Sequence, residues 1–175
     1  KITYYKALIY AEKDDYINAM DGYTKAKALF SKIKDTLNIA KVNNSIGLIE
    51  MQRGNFSKGL QYSLSAIREL ERRGLSHELR SAYASLGQTY YKLNNVDKSI
   101  EYNQKALEIQ EQLNDSTGVS NSSLLLAELY SKSKEHRKAI EYYEKVIANI
   151  KTIEDSIKAK VYPRLGGEYL KFRDF

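Results

Sequence analysis

The chain has 175 residues, no cysteine and a formal net charge of +6. Without cysteine, a disulfide framework and thiolate chemistry are excluded, and no apolar run is long enough to span a bilayer. A single proline, nine glycines and no tryptophan beside fifteen tyrosines fit an all-helical chain whose aromatic packing falls on tyrosine.

From the amino terminus, a helix through Ala7 and Tyr10 is predicted to end at the turn Asp14-Asp15-Tyr16, and a second helix carries Met20 and Ala26. About forty residues on, Gly47 and Glu50 occupy the first helix, Gly54-Asn55-Phe56 the turn, and Leu60 and Ala66 the second helix. The frame returns with Gly87, Tyr90, Asn94-Asn95-Val96, Ile100 and Ala106, and again with Ala127, Tyr130, Lys134-Glu135-His136, Ile140 and Val146. Each turn is rich in residues that cap helices or tolerate turn dihedrals. Within Lys98 to Leu113 the apolar set Ile100, Ala106, Leu107, Ile109 and Leu113 falls mostly at three- and four-residue steps, the period of one buried helical stripe. On the opposite face Glu101 and Lys105, and later Glu141 and Lys145, are expected to pair at i and i+4.

A last helix carries Leu165-Gly166 and Tyr169, with Pro163 either in its first turn or inside a helix begun near Ser156; the apolar Ile157 and Val161 favour the second. Leu165, Tyr169, Leu170 and Phe172 would lie on an incompletely covered face, which predicts either further chain or self-association through this helix. Lys1 opens a helix without a cap or an initiator methionine, so the sequence reads as a fragment of a longer protein. The units fall at about 1–37, 38–77, 78–117 and 118–157, with a partial fifth over 158–175, in a single array of about nine helices.

The recurring Gly47 and Gly87, with Ala7 and Ala127 in the same slot, have a packing reason. Two antiparallel helices approach closely only where a side chain is missing or is a methyl, which offsets the roughly 1 kcal/mol that a helical glycine costs.

No catalytic, metal or cofactor constellation emerges. His77 and His136 stand in or beside turns, far apart in sequence, and are expected to be solvated; Asp14-Asp15 and Glu154-Asp155 read as caps. No glycine-rich phosphate loop follows a strand, and the chain is not expected to be an enzyme. Lys25, Lys27, Lys32, Lys34 and Lys41 cluster, as do Lys132, Lys134, Arg137 and Lys138, but Asp21, Asp35 and Glu135 interrupt them. No basic aromatic platform accompanies the lysines, so nucleic acid is not the expected partner. Cytoplasmic and periplasmic settings both stay open.

Leu86-Gly87-x-x-Tyr90, followed by Asn94-Asn95, Ser99, Tyr102 and Ala106, resembles a tetratricopeptide repeat, and Ala127-x-x-Tyr130, Ala139, Tyr143 and Val146 fit the same frame. The repeat length is similar to the extended type of bacterial peptide-sensing regulators, repeat-bearing sensor kinases and transcription factors, kinesin light chains and animal G-protein regulators. Glu50, Gly59, Gly22 and Asn103 depart from the pattern.

The resemblance implies an all-α, right-handed superhelical solenoid of antiparallel helix pairs whose concave groove, lined by the first helices, binds a peptide or protein. Carried over by position, that groove comprises Asn44, Leu48, Met51, Gln52, Ala84, Gln88, Tyr91, Lys92, Asn121, Leu124 and Glu128. Asparagine and glutamine amides there could bond an extended backbone, and Leu48, Met51 and Tyr91 could cover its side chains. The lysines and arginine of the chaperone-tail clamp are absent, since Tyr4, Leu8, Ser45, Ser81 and Ser85 hold those positions. Two readings follow: an interaction scaffold, or the sensory part of a larger bacterial signalling protein.

Overall fold

Short turns recurring every twenty residues set the architecture. In the computed structural model, which describes residues 1–149 and 155–173, Asp14, Lys34, Gly54, Gly74, Asn94, Asn114 and Lys134 have φ between 52° and 82°. This left-handed region is cheap for glycine and tolerable for asparagine, which together fill the third to sixth of these positions. The N–H of the next residue returns to a carbonyl five residues back, as from Asn55 to Glu50 at 2.7 Å and from Asp115 to Gln110 at 2.9 Å. The turn residue itself bonds three back, Gly54 to Met51 at 3.1 Å, so the last carbonyls of each helix are satisfied.

The residue after the turn also opens the following helix. The side-chain oxygens of Asp15, Asp35, Asn95 and Asp115 accept from the backbone N–H of Asn18, Asn38, Lys98 and Gly118 at 3.0 to 3.2 Å. Among the described residues the outcome is nine helices and no strand. They are α1 (Ile2–Glu12), α2 (Tyr16–Lys32), α3 (Thr36–Gln52), α4 (Phe56–Arg72) and α5 (Ser76–Lys92), then α6 (Val96–Gln112), α7 (Ser116–Lys132), α8 (His136–Ala148) and α9 (Asp155–Arg173). Pro163 lies inside α9, which starts beside the expected Ser156. Glu154, Asp174 and Phe175 lie outside the described residues.

The chain divides into two units, Lys1–Ser85 and Leu86–Phe175. In the first, Ala7, Ala19, Tyr23, Ala26, Phe30, Val42, Ile46 and Ile49 form the core, each large side chain contributing about 1.5–3 kcal/mol. The expected close crossing of helices is present: a Cβ on Gly47 would lie 3.0 Å from the Gly59 carbonyl oxygen, and one on Gly59 the same distance from that of Gly47. Gly59 is therefore the partner of Gly47. Glu50, the departure from tyrosine, is buried and accepts from Asn55 Nδ2 at 2.7 Å. That bond occupies the Asn55 side chain, which makes no capping contact to α4.

In the second unit, Leu107, Val119, Leu126, Ala127, Tyr130, Ala139, Tyr143, Val146 and Val161 are buried together. Tyr90 stacks on Tyr102 with ring centroids 5.5 Å apart, and Tyr130 on Tyr142 at the same separation. Lys98 and Lys138 sit over Tyr90 and Tyr130 at 5.2 and 4.9 Å. Asn103 stands against Gly87, whose missing side chain makes room for it, and donates to the Ser99 carbonyl at 2.7 Å. The Glu101–Lys105 pair forms at 2.7 Å, but Lys145 turns from Glu141 to Glu111 on α6. Glu141 instead faces Arg137 at 3.6 Å.

Candidate functional site

A depression in the first unit is lined by Tyr4 of α1, Lys41, Asn44 and Ser45 of α3, and His77, Glu78, Arg80 and Ser81 of α5. Consecutive first helices thus form one wall. Tyr4 and Ser45 join through their hydroxyls at 3.3 Å, and Ser45 donates to the Lys41 carbonyl at 3.2 Å. Lys41 Nζ lies 2.8 Å from Glu78, and its ammonium holds the Glu78 carboxyl below the usual carboxylate range. Among these satisfied groups Asn44 Oδ1 is buried without a hydrogen-bond partner.

The other groove residues expected here separate by exposure. Leu48 and Ala84 are half-buried and Gln52 is exposed. Met51 does not offer its side chain to a ligand as expected: only 6% exposed, it fills the space left by the missing side chain of Gly59. The deep crossing of α3 and α4 draws it inward.

A second depression, in the second unit, is lined by Tyr91, Glu128, Ser131, Lys132, Tyr143, Arg164, Gly167, Glu168 and Lys171. It unites the expected Tyr91 and Glu128 with residues of α9. Gln88, Lys92 and Asn121 are exposed outside its lining, and Leu124 packs half-buried against the core. Arg164 pairs with Glu128, while Lys132 lies 6.0 Å from the centre of the Tyr91 ring and donates to Asn94 Oδ1.

At its base Glu168, 3% exposed, accepts from Ser131 Oγ at 2.7 Å and Lys171 Nζ at 2.8 Å, and its other oxygen lies 2.6 Å from His136 Nδ1. Burial alone would raise this carboxyl, but the bonds from Lys171, His136 and Ser131 outweigh it and hold it below the ordinary range. His136 is thus not the solvated turn histidine expected: its side chain is 11% exposed and ties the start of α8 to α9. The signal was a carboxylate in phase with Val161 and Leu165 on the buried stripe of α9, a position that demands donors from neighbouring helices.

Among the described residues no group of acidic, histidine or cysteine side chains is arranged to hold a metal, and no helix is long and apolar enough to cross a membrane.

Comparison with known proteins bears on the fold and the family. In overall structure the chain is similar to the crystal structure of BtubC (BKLC) from P. vanneervenii, with a TM-score of 0.82 and 17% identity over 97% of this chain and 71% of that one. This likeness shows the fold, an all-α repeat of helix pairs. A comparison with curated protein sequences finds no match. The tetratricopeptide repeat profile matches residues 38–112 and 78–152, together more than half of the sequence. The chain belongs to the tetratricopeptide repeat family.

Proposed function

We propose that the chain binds an extended segment of another protein along the wall made by its first helices, with Asn44 bonding the segment's backbone. Tetratricopeptide repeats build protein-interaction scaffolds, and the observation that carries the finer reading is the buried, unpartnered Asn44 Oδ1. A buried amide oxygen without a donor forfeits about 1–3 kcal/mol, which a peptide N–H would restore. Tyr4, Ser45 and Ser81 beside it are small or flat and leave an extended strand room to approach. In the second unit, Tyr91 offers an aromatic face and Lys132 a cation on the equivalent helices.

The test begins with recovery of a partner on the full chain as bait, followed by calorimetry with the recovered segment. Asn44→Ala should weaken binding by about 1–3 kcal/mol with the helical spectrum unchanged. Asn121→Ala, at an exposed position, should change it little. Affinity indifferent to Asn44 would remove the reading.

A further inference from the structure

On α3, the neighbour of Asn44 points to a different surface. Thr36, Ile39, Ala40 and Asn43 follow at i, i+3, i+4 and i+7, a stripe on the far side of the helix from Lys41, Asn44 and Ser45. With Ser65, Arg68, Glu69 and Arg72 of α4 they line a separate depression. Asn43 is 7% exposed, and its Oδ1 is buried without a partner. Forty residues on, Tyr83 fills the same column, and there the polar atom is satisfied: its hydroxyl donates to Glu71. Among the described residues nothing does the same for Asn43.

The surrounding charge is positive. Glu69 is neutralised by Arg72, through bonds of 3.0 and 2.8 Å, and by Arg73 at 2.7 Å. Arg68 reaches the Leu64 carbonyl only through Nε, at 3.4 Å, which leaves the terminal nitrogens of its guanidinium for another acceptor. The depression therefore offers a buried acceptor and an exposed planar cation, with Ile39 and the fully packed Ala40 as apolar floor. An amino-acid residue with a carboxylate side chain carries the complementary pair, a backbone N–H and an anion a few bonds apart. A phosphate monoester dianion offers acceptors alone and leaves the Asn43 oxygen unserved.

We propose that this depression is a second binding site, distinct from the first-helix wall, which takes an Asp or Glu of an extended partner segment. The carboxylate lies on Arg68 and the backbone N–H of the same residue donates to Asn43 Oδ1.

The experiment is a titration of the 15N-labelled chain, followed by amide shifts, with acetyl-Gly-Glu-Gly-amide and with its glutamine counterpart. The glutamate peptide should give saturable shifts centred on Ala40, Asn43, Ser65 and Arg68, and the glutamine peptide should bind about tenfold more weakly. Arg68→Gln, at an exposed position, should lower the glutamate affinity about tenfold, and Asn43→Ala should lower it as well, whereas Asn44→Ala should leave it unchanged. Equal binding of the two peptides, shifts confined to the Tyr4–Asn44 wall, indifference to Arg68→Gln, or the same shifts from inorganic phosphate would overturn the proposal. If Asn43→Ala fails to fold, Arg68→Gln decides. Because Asn43 and Asn44 serve different surfaces, loss of one site leaves the other measurable.

Discussion

At Gly47 an added methyl would first meet the Ser63 hydroxyl, which can turn aside, and behind it the backbone of the facing helix. An added methyl meets the Gly59 carbonyl oxygen at 3.0 Å and the Ser63 N at 3.1 Å, atoms that cannot rotate away. Gly47→Ala should therefore destabilise the chain by about 1–3 kcal/mol in urea unfolding. Gly87 is a different case, since the atoms nearest its missing Cβ all belong to the Asn103 side chain. Gly87→Ala should be costly alone and largely rescued by Asn103→Ala, so a double-mutant cycle should show coupling of about 0.5–3 kcal/mol. The sequence made both glycines conspicuous through their phase, but it could not distinguish their neighbours, because Ser63 and Asn103 share one column and differ only in reach. Met51 illustrates the same limit: its place on the first helix suggested the groove, and only the depth of the Gly47–Gly59 crossing buries it.

Among the elements, the turns carry the most transferable rule. Lys34 and Lys134 hold φ of 54° and 61°, conformations that oppose a Cβ, where Gly54 and Gly74 sit without strain. Lys34→Gly should stabilise the chain by up to about 1 kcal/mol, read as a higher thermal midpoint, because relief of the left-handed strain exceeds the extra entropy lost on folding. Asp115→Ala removes the side-chain acceptor for Gly118 N and should cost about 1 kcal/mol. The helix-pair order was legible because apolar columns recur every forty residues, whereas the twenty-residue step of the turns was obscured by seven positions filled with four residue types. The pairing of Lys145 with Glu111 on a neighbouring helix, rather than with Glu141, was equally hidden, since sequence spacing describes one helix and not the flank of the next.

For the whole molecule, acid sensitivity should centre on Glu168. Its folded pKa lies below the ordinary carboxylate value, so the stabilisation it supplies is fully present above that ordinary value, about 4.3, and is lost as pH falls through the lower folded one. Thermal melts followed by circular dichroism should show the wild type losing more stability than Glu168→Gln as pH falls from 7 to about 3. Parallel curves would assign the acid dependence to other carboxylates. The site was less legible than the fold for a physical reason. Periodicity reports which side of a helix is buried, but an interacting surface depends on which polar atoms remain unmatched after packing, as Asn43 and Asn44 do.

The paired rings of Tyr90 with Tyr102 and Tyr130 with Tyr142, in a chain without tryptophan, give the second unit its own optical reporters. Each pair spans one hairpin, so replacing Tyr102 or Tyr142 by leucine removes one pair's contribution from the near-ultraviolet signal of the fifteen tyrosines and keeps its twin's. The difference between the two variants' melting curves then reports whether α5–α6 and α7–α8 come apart together or in sequence, with no dye attached.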